Sequence, residues 1–449
     1  MTDFSHFSEE NIQREIEYSS LRSDIIEWRP SKNHCYELIV PKTVYPPRED
    51  TDMIAKKIIS RGPVSGLKFL EIGSGTGALS ILACSMGWEV YCCDINPFAV
   101  AATKGNILAN GFKGSVKEGG IGPEKFPFSE KFDLIIWNLP YIREFSEGGL
   151  GPLEDASLID NDNLGLDVRL VNSIISNHLL TNTGHVWILC NELNVKKSYK
   201  LSHRIVGNLT FEDGECIALV NLWQSKHYEN KLFLDKTKST NDIMLSFDNN
   251  YKHIYSPKQT NGRGRHNRKW ESINRSFAGS WDISEHKNVP PGLLQLAAAK
   301  AVLATINYPE ISVKWPNDIM FKKRKLGGIL IESISNSDST KVVLGIGINL
   351  VSDDIQRDFT YSSLSEISDT NIHELSLNLS KNLASIFEKR RHLPDFDFES
   401  LLPEMKSAIR DYGTPVFKDI EYPNFGLSKD GKLKIGSLEI DEIEEINWV

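Results

Sequence analysis

Between residue 63 and residue 223, short apolar runs alternate with stretches of helical period. Lys68–Ile72 predicts a strand, a glycine turn follows, and 78–86 predicts a helix that stops at Gly87. Residues 89–95 form the next predicted strand. Asn96-Pro97 then reads as an N-cap followed by proline at the first helical position, and that helix runs to near Gly111. A strand at 132–137, a helix at 166–180 and a strand at 185–190 continue the series, and 210–223, with Asp213-Gly214 at its turn, predicts a closing hairpin. The βαβα order predicts an α/β, doubly wound, mainly parallel sheet.

Residues 224–231 are polar and read as a linker. Beyond them lie a small-residue helix at 293–306 and strands around Val313, Ile329 and Val343. From about Tyr412, short strands around an Asp430-Gly431 turn predict a small β-barrel. Residues 1–34 are polar, lack a clear period, and have room for one amphipathic helix.

Composition narrows the class. The 449 residues, at roughly 150 per domain, predict two or three domains. The net charge of -9 argues against a surface built wholly for nucleic acid, although a local basic patch survives that argument. Six cysteines without paired spacing predict reduced thiols in a cytoplasmic protein. Cys92 and Cys93, adjacent on a strand, should point to opposite faces. Residues 1–17 are polar and acidic, unlike a secretory leader, and no apolar run approaches the roughly 18 residues that a membrane helix needs.

Two groups of residues carry candidate chemistry. In the first, Gly73, Gly75 and Gly77 follow a strand and open a helix, where glycine lets the backbone approach a ligand. Asp94 ends the next strand, 23 positions after Glu71, where a carboxylate can accept two hydrogen bonds from a ribose diol. The spacing is GxGxG, not the dinucleotide GxGxxG. Asn138-Leu139-Pro140-Tyr141 directly follows an apolar strand. There an Asn oxygen and a backbone carbonyl can accept both protons of an amide or exocyclic amine and aim its lone pair at an electrophile. Tyr141 can stack on a planar group.

On these segments, with Val44-Tyr45-Pro46-Pro47-Arg48-Glu49-Asp50-Thr51, residues 35–225 resemble a class I S-adenosylmethionine-dependent methyltransferase of the HemK-like, protein-glutamine type. The resemblance implies S-adenosylmethionine at Gly73, Gly75, Gly77, Asp94 and Glu118, and a methyl acceptor at Asn138, Pro140, Tyr141, Glu49 and Asp50. It also implies a release factor with a Gly-Gly-Gln loop as substrate, and a small activating subunit as a possible partner. Leu139 stands where that family has proline. Asn-Leu-Pro-Tyr is also found in RNA adenine dimethylases, so adenine in RNA stays open as the acceptor.

In the second group, Ser239 and Thr240 precede a helix, and plain capping accounts for them as well as ligand binding does. Gln259 leads into Gly262-Arg263-Gly264-Arg265-His266-Asn267-Arg268-Lys269-Trp270, a cationic glycine loop fit for phosphate, and equally, taken alone, for a nucleic-acid patch or a solvated loop. Lys314-Trp315-Pro316-Asn317-Asp318, Lys325-Leu326-Gly327-Gly328-Ile329-Leu330 and Gly345-Ile346-Gly347-Ile348-Asn349 follow in order.

Together these segments resemble a biotin protein ligase: an α+β catalytic domain over 230–405 and a small SH3-like β-barrel over 406–449. The resemblance implies biotin or its adenylate at Ser239, Thr240, Gln259, Gly262, Trp270, Asn317 and Asn349, and chemistry at Lys325, Arg263, Arg265 and Asp318. ATP, Mg2+ and a biotin carboxyl carrier protein domain follow from it; no direct metal motif is present. His266-Asn267 replaces the more usual Arg-Gly. A biotin-responsive nucleic-acid-binding regulator is the alternative, but residues 1–34 are too short for a winged helix, so DNA binding is not expected.

Overall fold

In a computed structural model, the structure describes residues 9–121, 126–140, 165–195, 199–212, 214–226, 230–248, 250–270, 273, 275–352, 360–441 and 446–449. The chain divides into two compact units, Met1–Gln224 and Ser225–Val449.

The first unit begins with helix α1 (Glu9–Ser20) and a hairpin, β1 (Asp24–Ser31) and β2 (His34–Val40). Then come α2 (Glu49–Arg61), β3 (Lys68–Ile72), α3 (Ala78–Ser85), β4 (Glu89–Asp94), α4 (Pro97–Ala109), β5 (Ser115–Glu118) and β6 (Phe132–Asn138). It ends with α5 (Leu166–Ser176), β7 (Leu180–Asn191), β8 (Ser202–Thr210) and β9 (Cys216–Trp223). The sheet order is β5-β4-β3-β6-β7-β9-β8, parallel as far as β7, with β9 antiparallel to both β7 and β8. This is the doubly wound arrangement that the alternation predicts. The direction of winding reverses between β3 and β6, and ligands of such sheets sit beyond the carboxyl ends of the strands there.

Alternate residues of β6 feed two cores. Leu134 and Ile136 join one, and Phe132, Ile135 and Trp137 the other. Cys92 and Cys93 divide the same way.

The structure corrects the reading of residues 1–34 as a separate extension. That boundary cuts through a hairpin whose Trp28, Tyr36, Leu38 and Val40 are buried in the first core. The hairpin also braces what lies beside it. Trp28 Nε1 donates to Asp52 Oδ1 on α2 at 2.8 Å. Asn106 of α4 accepts from Ile39 N at 2.8 Å and donates to Ile39 O and Thr76 O at 2.9 Å each. The helix predicted at 166–180 ends sooner, because His178 takes a left-handed conformation (φ 51°) and Leu180 starts β7.

In the second unit, β10 (Lys231–Phe233), α6 (Thr240–Leu245), β11 (His253–Ser256), β12 (Gly262–Arg263), β13 (Lys269–Trp270) and β14 (Arg275–Asp282) lead to helix α7 (Pro291–Ile306). β15 (Ile311–Lys314), β16 (Asp318–Phe321), β17 (Arg324–Ser335), β18 (Thr340–Val351), α8 (Ile372–Phe387) and α9 (Leu402–Tyr412) follow. The main sheet runs β10-β11-β14-β18-β17-β16-β15; only the β10–β11 pair is parallel.

The tail holds two three-stranded antiparallel sheets. One comprises β19 (Pro415–Phe417), β20 (Ile420–Glu421) and β24 (Ile446–Trp448); the other comprises β21 (Gly426–Leu427), β22 (Leu433–Ile435) and β23 (Leu438–Ile440). The described apolar residues of the tail join the core of the main sheet and helices. Phe425, Leu433, Ile435 and Ile446 belong to the same cluster as Leu296, Val313 and Leu379. The turn after β21 docks on the first turn of α7. A Cβ on Gly292 would lie 2.7 Å from Asp430 O, one on Gly431 would lie 2.5 Å from Gly292 C, and Trp315 Nε1 donates to Gly431 O at 3.0 Å.

Among the described residues, no helix is long and apolar enough to cross a membrane, and no group of three His, Cys, Asp or Glu could hold a metal ion.

Candidate active sites

The first site lies at the ends of β3, β4 and β6. Gly73, Gly75 and Gly77 all have positive φ (66°, 54° and 77°), so side chains there would be strained. A Cβ on Gly73 would come within 3.1 Å of Trp137 Nε1, and one on Gly77 within 2.9 Å of Thr103 Cγ2. Asp94 braces this turn: Oδ2 accepts from Gly75 N and Oδ1 from Asn96 N, both at 2.9 Å. Burial raises its pKa, and those two backbone donors work against the rise. Beneath the turn, burial pushes the Glu71 carboxyl up to about 8, and Ser80 Oγ donates to its Oε2 at 2.5 Å. Glu118 stands opposite Asp94 in register and is exposed.

Asn138 ends β6. Its Nδ2 donates to Asp50 Oδ2 at 2.9 Å, while its buried Oδ1 has no partner among the described residues. Asp50, on the first turn of α2, is only 2% exposed, and its Oδ1 accepts from Thr51 N at 2.6 Å and Thr51 Oγ1 at 3.2 Å. Both Asp50 oxygens accept, so the NH2 side of Asn138 faces Asp50 and its own oxygen is left open. Leu139 is buried in the second core, with its N–H on Leu189 O at 3.0 Å, which accounts for an apolar residue there. Pro140 is buried too. Tyr141 lies outside the described residues. Glu49 is exposed and lines a shallow groove with Asp52, Lys56 and Val206, apart from Asn138.

The second site is a cavity of about 220 Å³ that gathers segments far apart in sequence: Ser239–Asn241, Gln259, Arg263–His266, Trp270, Pro316–Asp318, Lys325, Gly328–Leu330, Glu332 and Gly345–Gly347. Ser239 caps α6, accepting from Asp242 N at 3.2 Å. Gln259 Oε1 accepts from Thr240 N at 2.7 Å and Thr240 Oγ1 at 3.1 Å. The arginine–glycine loop is a short hairpin, with Gly262 opposite Trp270 and Arg263 opposite Lys269. His266 turns it with φ 53°.

Trp270 lies over strands that only glycine permits: a Cβ on Gly347 would sit 2.8 Å from its Cζ2, and one on Gly328 3.3 Å from its Cζ3. Lys325 Nζ is 2.6 Å from Asp318 Oδ1 and 5.5 Å from the Trp270 ring centroid, so the cation is held between a carboxylate and a π face.

Several expected ligand residues serve the frame. Asn317 lines the cavity, but its Nδ2 donates to Ile329 O at 2.7 Å. Asn349 does not line it; buried, it ties Lys325 O (3.2 Å) to Ser362 O (3.0 Å). Gly262 lies beside Gln259 Nε2, where a Cβ would come within 3.2 Å. Arg265 Nη2 reaches Asp441 O at 3.4 Å. Arg263 is engaged by Asp242 (2.6 Å) and Glu332 (3.0 Å). Sequence reasoning missed Asp242, Asn241 and Glu332. The signal was present: Gly328, Leu330 and Glu332 alternate along β17 into one cavity.

Two family models match, the methyltransferase small domain over residues 49–148 and the Biotin/lipoate A/B protein ligase family over residues 233–349. One match lies in each of the two compact units. The methyltransferase domain bears the Asp50–Asn138 pair, and the ligase domain bears the cavity around Lys325.

Among curated proteins, the chain is similar to the "Bifunctional ligase/repressor BirA" of Escherichia coli, 32% identical over 154 residues (32% of this chain, 46% of that protein). It is also similar to the "Release factor glutamine methyltransferase" of Clostridium acetobutylicum, 28% identical over 145 residues (30% of this chain, 51% of that protein). The chain thus spans about half the length of these relatives. Among solved structures, a biotin protein ligase from Aquifex aeolicus in complex with biotin and ATP is 25% identical, covering 49% of this chain and 98% of that one, with a TM-score of 0.39.

Proposed function

We propose that the ligase domain activates biotin with ATP and transfers it to a lysine of a biotin carboxyl carrier protein domain. The observation that carries this reading is the convergence of Gln259, Arg263, Trp270, Asp318 and Lys325 on one cavity. Biotin carboxylate oxygen attacks the α-phosphorus of ATP, giving biotinyl-5′-adenylate and pyrophosphate. Lys325, with Arg263 and Arg265, stabilises the charge that gathers on the phosphate. The carrier amine then attacks the acyl carbon and AMP leaves. Asp318, paired with Lys325, faces that step, and the Arg263–Arg268 hairpin orders over the adenylate. Ser239, Thr240, Gln259 and Gly262 hold the biotin head, Trp270 and Asn317 border the nucleotide, and Asn349 supports Lys325 from below. Mg2+ would accompany the phosphates. The tail is read as the family's SH3-like barrel, and the chain as cytoplasmic. Biotin-dependent exchange of labelled pyrophosphate into ATP tests the reading; a chain that binds biotin but exchanges nothing refutes it.

The methyltransferase domain is read as transferring a methyl group from S-adenosylmethionine to a glutamine amide in a release-factor Gly-Gly-Gln loop. The supporting observation is the unpartnered Asn138 Oδ1 beside the glycine turn, an acceptor for one N–H of the amide. The Gly73–Gly77 backbone leaves a side-chain-free cradle, and Asp94 keeps lone pairs beyond its two backbone bonds for a ribose; Glu118 flanks it. These residues fit the methyl donor, which supplies an electrophilic methyl group on sulfonium. The same acceptor fits the N6 amine of adenine in RNA. Offering labelled methyl donor with the release-factor loop and with RNA decides between them: label in RNA alone overturns the glutamine reading. A small activating subunit belongs to the same proposal.

A further inference from the structure

Lys325 reaches the ligase cavity because of an irregularity in β17. Along that strand Gly328, Leu330 and Glu332 line the cavity, while Ile329 and Ile331 pack with the core. Strict alternation would carry Leu326 to the cavity and Lys325 to the core. The arrangement is the opposite: Leu326 is fully buried in the core and Lys325 lines the cavity. The register gives the cause. Met320 stands opposite Lys325 but Ile319 stands opposite Gly327, so Leu326 is the extra residue of a β-bulge and the phase of the strand changes there.

On the other side of β17, the ladder with β18 stops at Gly327 and Ile348, and the segment Tyr361–Glu366 takes its place as a strap. Tyr361 pairs with Lys325 in an isolated parallel bridge. Ser362, fully buried, donates its N–H to Lys325 O at 2.9 Å and its hydroxyl to Arg324 O at 3.2 Å. Asn349 Nδ2 joins Lys325 O (3.2 Å) to Ser362 O (3.0 Å). Farther out, Arg324 donates to Tyr361 O at 3.1 Å and to Glu366 Oε2 at 2.5 Å, and Glu366 Oε1 accepts from Ser363 N at 2.9 Å.

We propose that Ser362 is a positioning residue: it pins the bulge through its bonds to Lys325 O and Arg324 O, and so keeps the Lys325 ammonium in the cavity. This rests on the biotin reading, in which that ammonium meets the reacting phosphate. With those bonds loosened, the bulge can shift by one residue along β17, and such a slip turns Lys325 away from the cavity. Ser239, Thr240 and Gln259 lie on other segments of the cavity wall, so biotin binds as before. What is lost is the partner of the charge that develops only as the phosphate reacts.

The test combines Ser362→Ala with Glu366→Gln in the full chain, which loosens the strap at two points outside the cavity lining. The new glutamine still accepts from Ser363 N, and Arg324 keeps its positive charge, so weaker phosphate stabilisation cannot come from a lost cation. The maximal rate of biotin-dependent pyrophosphate exchange should fall about tenfold, with biotin Kd by calorimetry and melting temperature unchanged. In a Lys325→Ala background the same pair of changes should cost nothing further, because the strap acts through Lys325. A crystal structure of the variant, which needs no turnover, should show Lys325 Nζ away from Asp318 Oδ1. A rate within about threefold of wild type overturns the inference. So does a comparable further loss in the Lys325→Ala background, a loss that biotin affinity or melting temperature shares, or a Lys325 that has not moved. Wild-type chain that exchanges no pyrophosphate would instead remove the biotin reading, a failure visible before any variant is made.

Discussion

Replacing Asp50 with Asn tests the methyltransferase site with an almost isosteric change. Asp50 is 2% exposed and accepts from Thr51 N at 2.6 Å and Asn138 Nδ2 at 2.9 Å. In Asp50→Asn the new oxygen stays with Thr51 N, so the new NH2 faces Asn138. Asn138 relieves the clash of donors by a half-turn of its amide, which moves its own NH2 to where Oδ1 stood. The acceptor for the substrate N–H becomes a donor. A buried polar group left without its partner costs about 1–3 kcal/mol, and at about 1.36 kcal/mol per decade that is roughly a 5- to 150-fold loss of kcat. The assay is single-turnover methyl transfer to a Gly-Gly-Gln peptide at saturating methyl donor, with donor affinity measured separately. Donor affinity should hold, since Gly75 and Asp94 bond each other and not Asp50. A variant with kcat within threefold of wild type, or one that loses donor affinity in proportion, refutes the reasoning.

Lys325→Ala removes the cation between Asp318 and Trp270; biotin-dependent pyrophosphate exchange should fall by about 100-fold or more, and near-normal exchange would sink the assignment. Glu71 holds its proton more tightly folded (about 8) than its ordinary 4.5, so the folded chain binds the extra proton across that window and stability declines as pH rises through it. Glu71→Gln carries no such proton. Its melting temperature should therefore gain on wild type between pH 5 and pH 8, by about 5 °C or more, and a constant offset refutes the coupling. Gly77→Ala places a Cβ 2.9 Å from Thr103 Cγ2 at φ 77°; it should cost about 1–2 kcal/mol and weaken S-adenosylmethionine binding in calorimetry, and unchanged affinity would show that the turn does not shape that site.

What the sequence conveyed was local. The β3 strand, its glycine turn and the Asn96-Pro97 helix start are written in a short window, and they stand as read, with Asn96 Oδ1 accepting from Phe98 N. What it hid was pairing across distance. Residues 24–31 show no clean alternation, since Ile25 and Ile26 are adjacent, and only the partner strand reveals which side is inward. Nothing in the sequence shows that Gly75 N and Asn96 N each take one lone pair of Asp94 and so fix how its carboxylate faces the site. Arg263 looks like a free phosphate clamp until Asp242 and Glu332, 21 positions before and 69 after it, are brought beside it. Asn349 carries a family role by position, yet its amide is spent on two carbonyls of the frame.

The glycine-to-glycine seam at Gly292 and Gly431 has a consequence for how the last residues can change. No atom separates the two backbones there, and Trp315, one residue before cavity-lining Pro316, is hydrogen-bonded to the same turn. A methyl group at either glycine would act as a wedge, prising the tail outward and tugging the wall of the cavity through the indole. The tail is therefore a retaining wall and not a detachable module: exchange for a relative's tail should succeed only when the matching first turn of α7 travels with it.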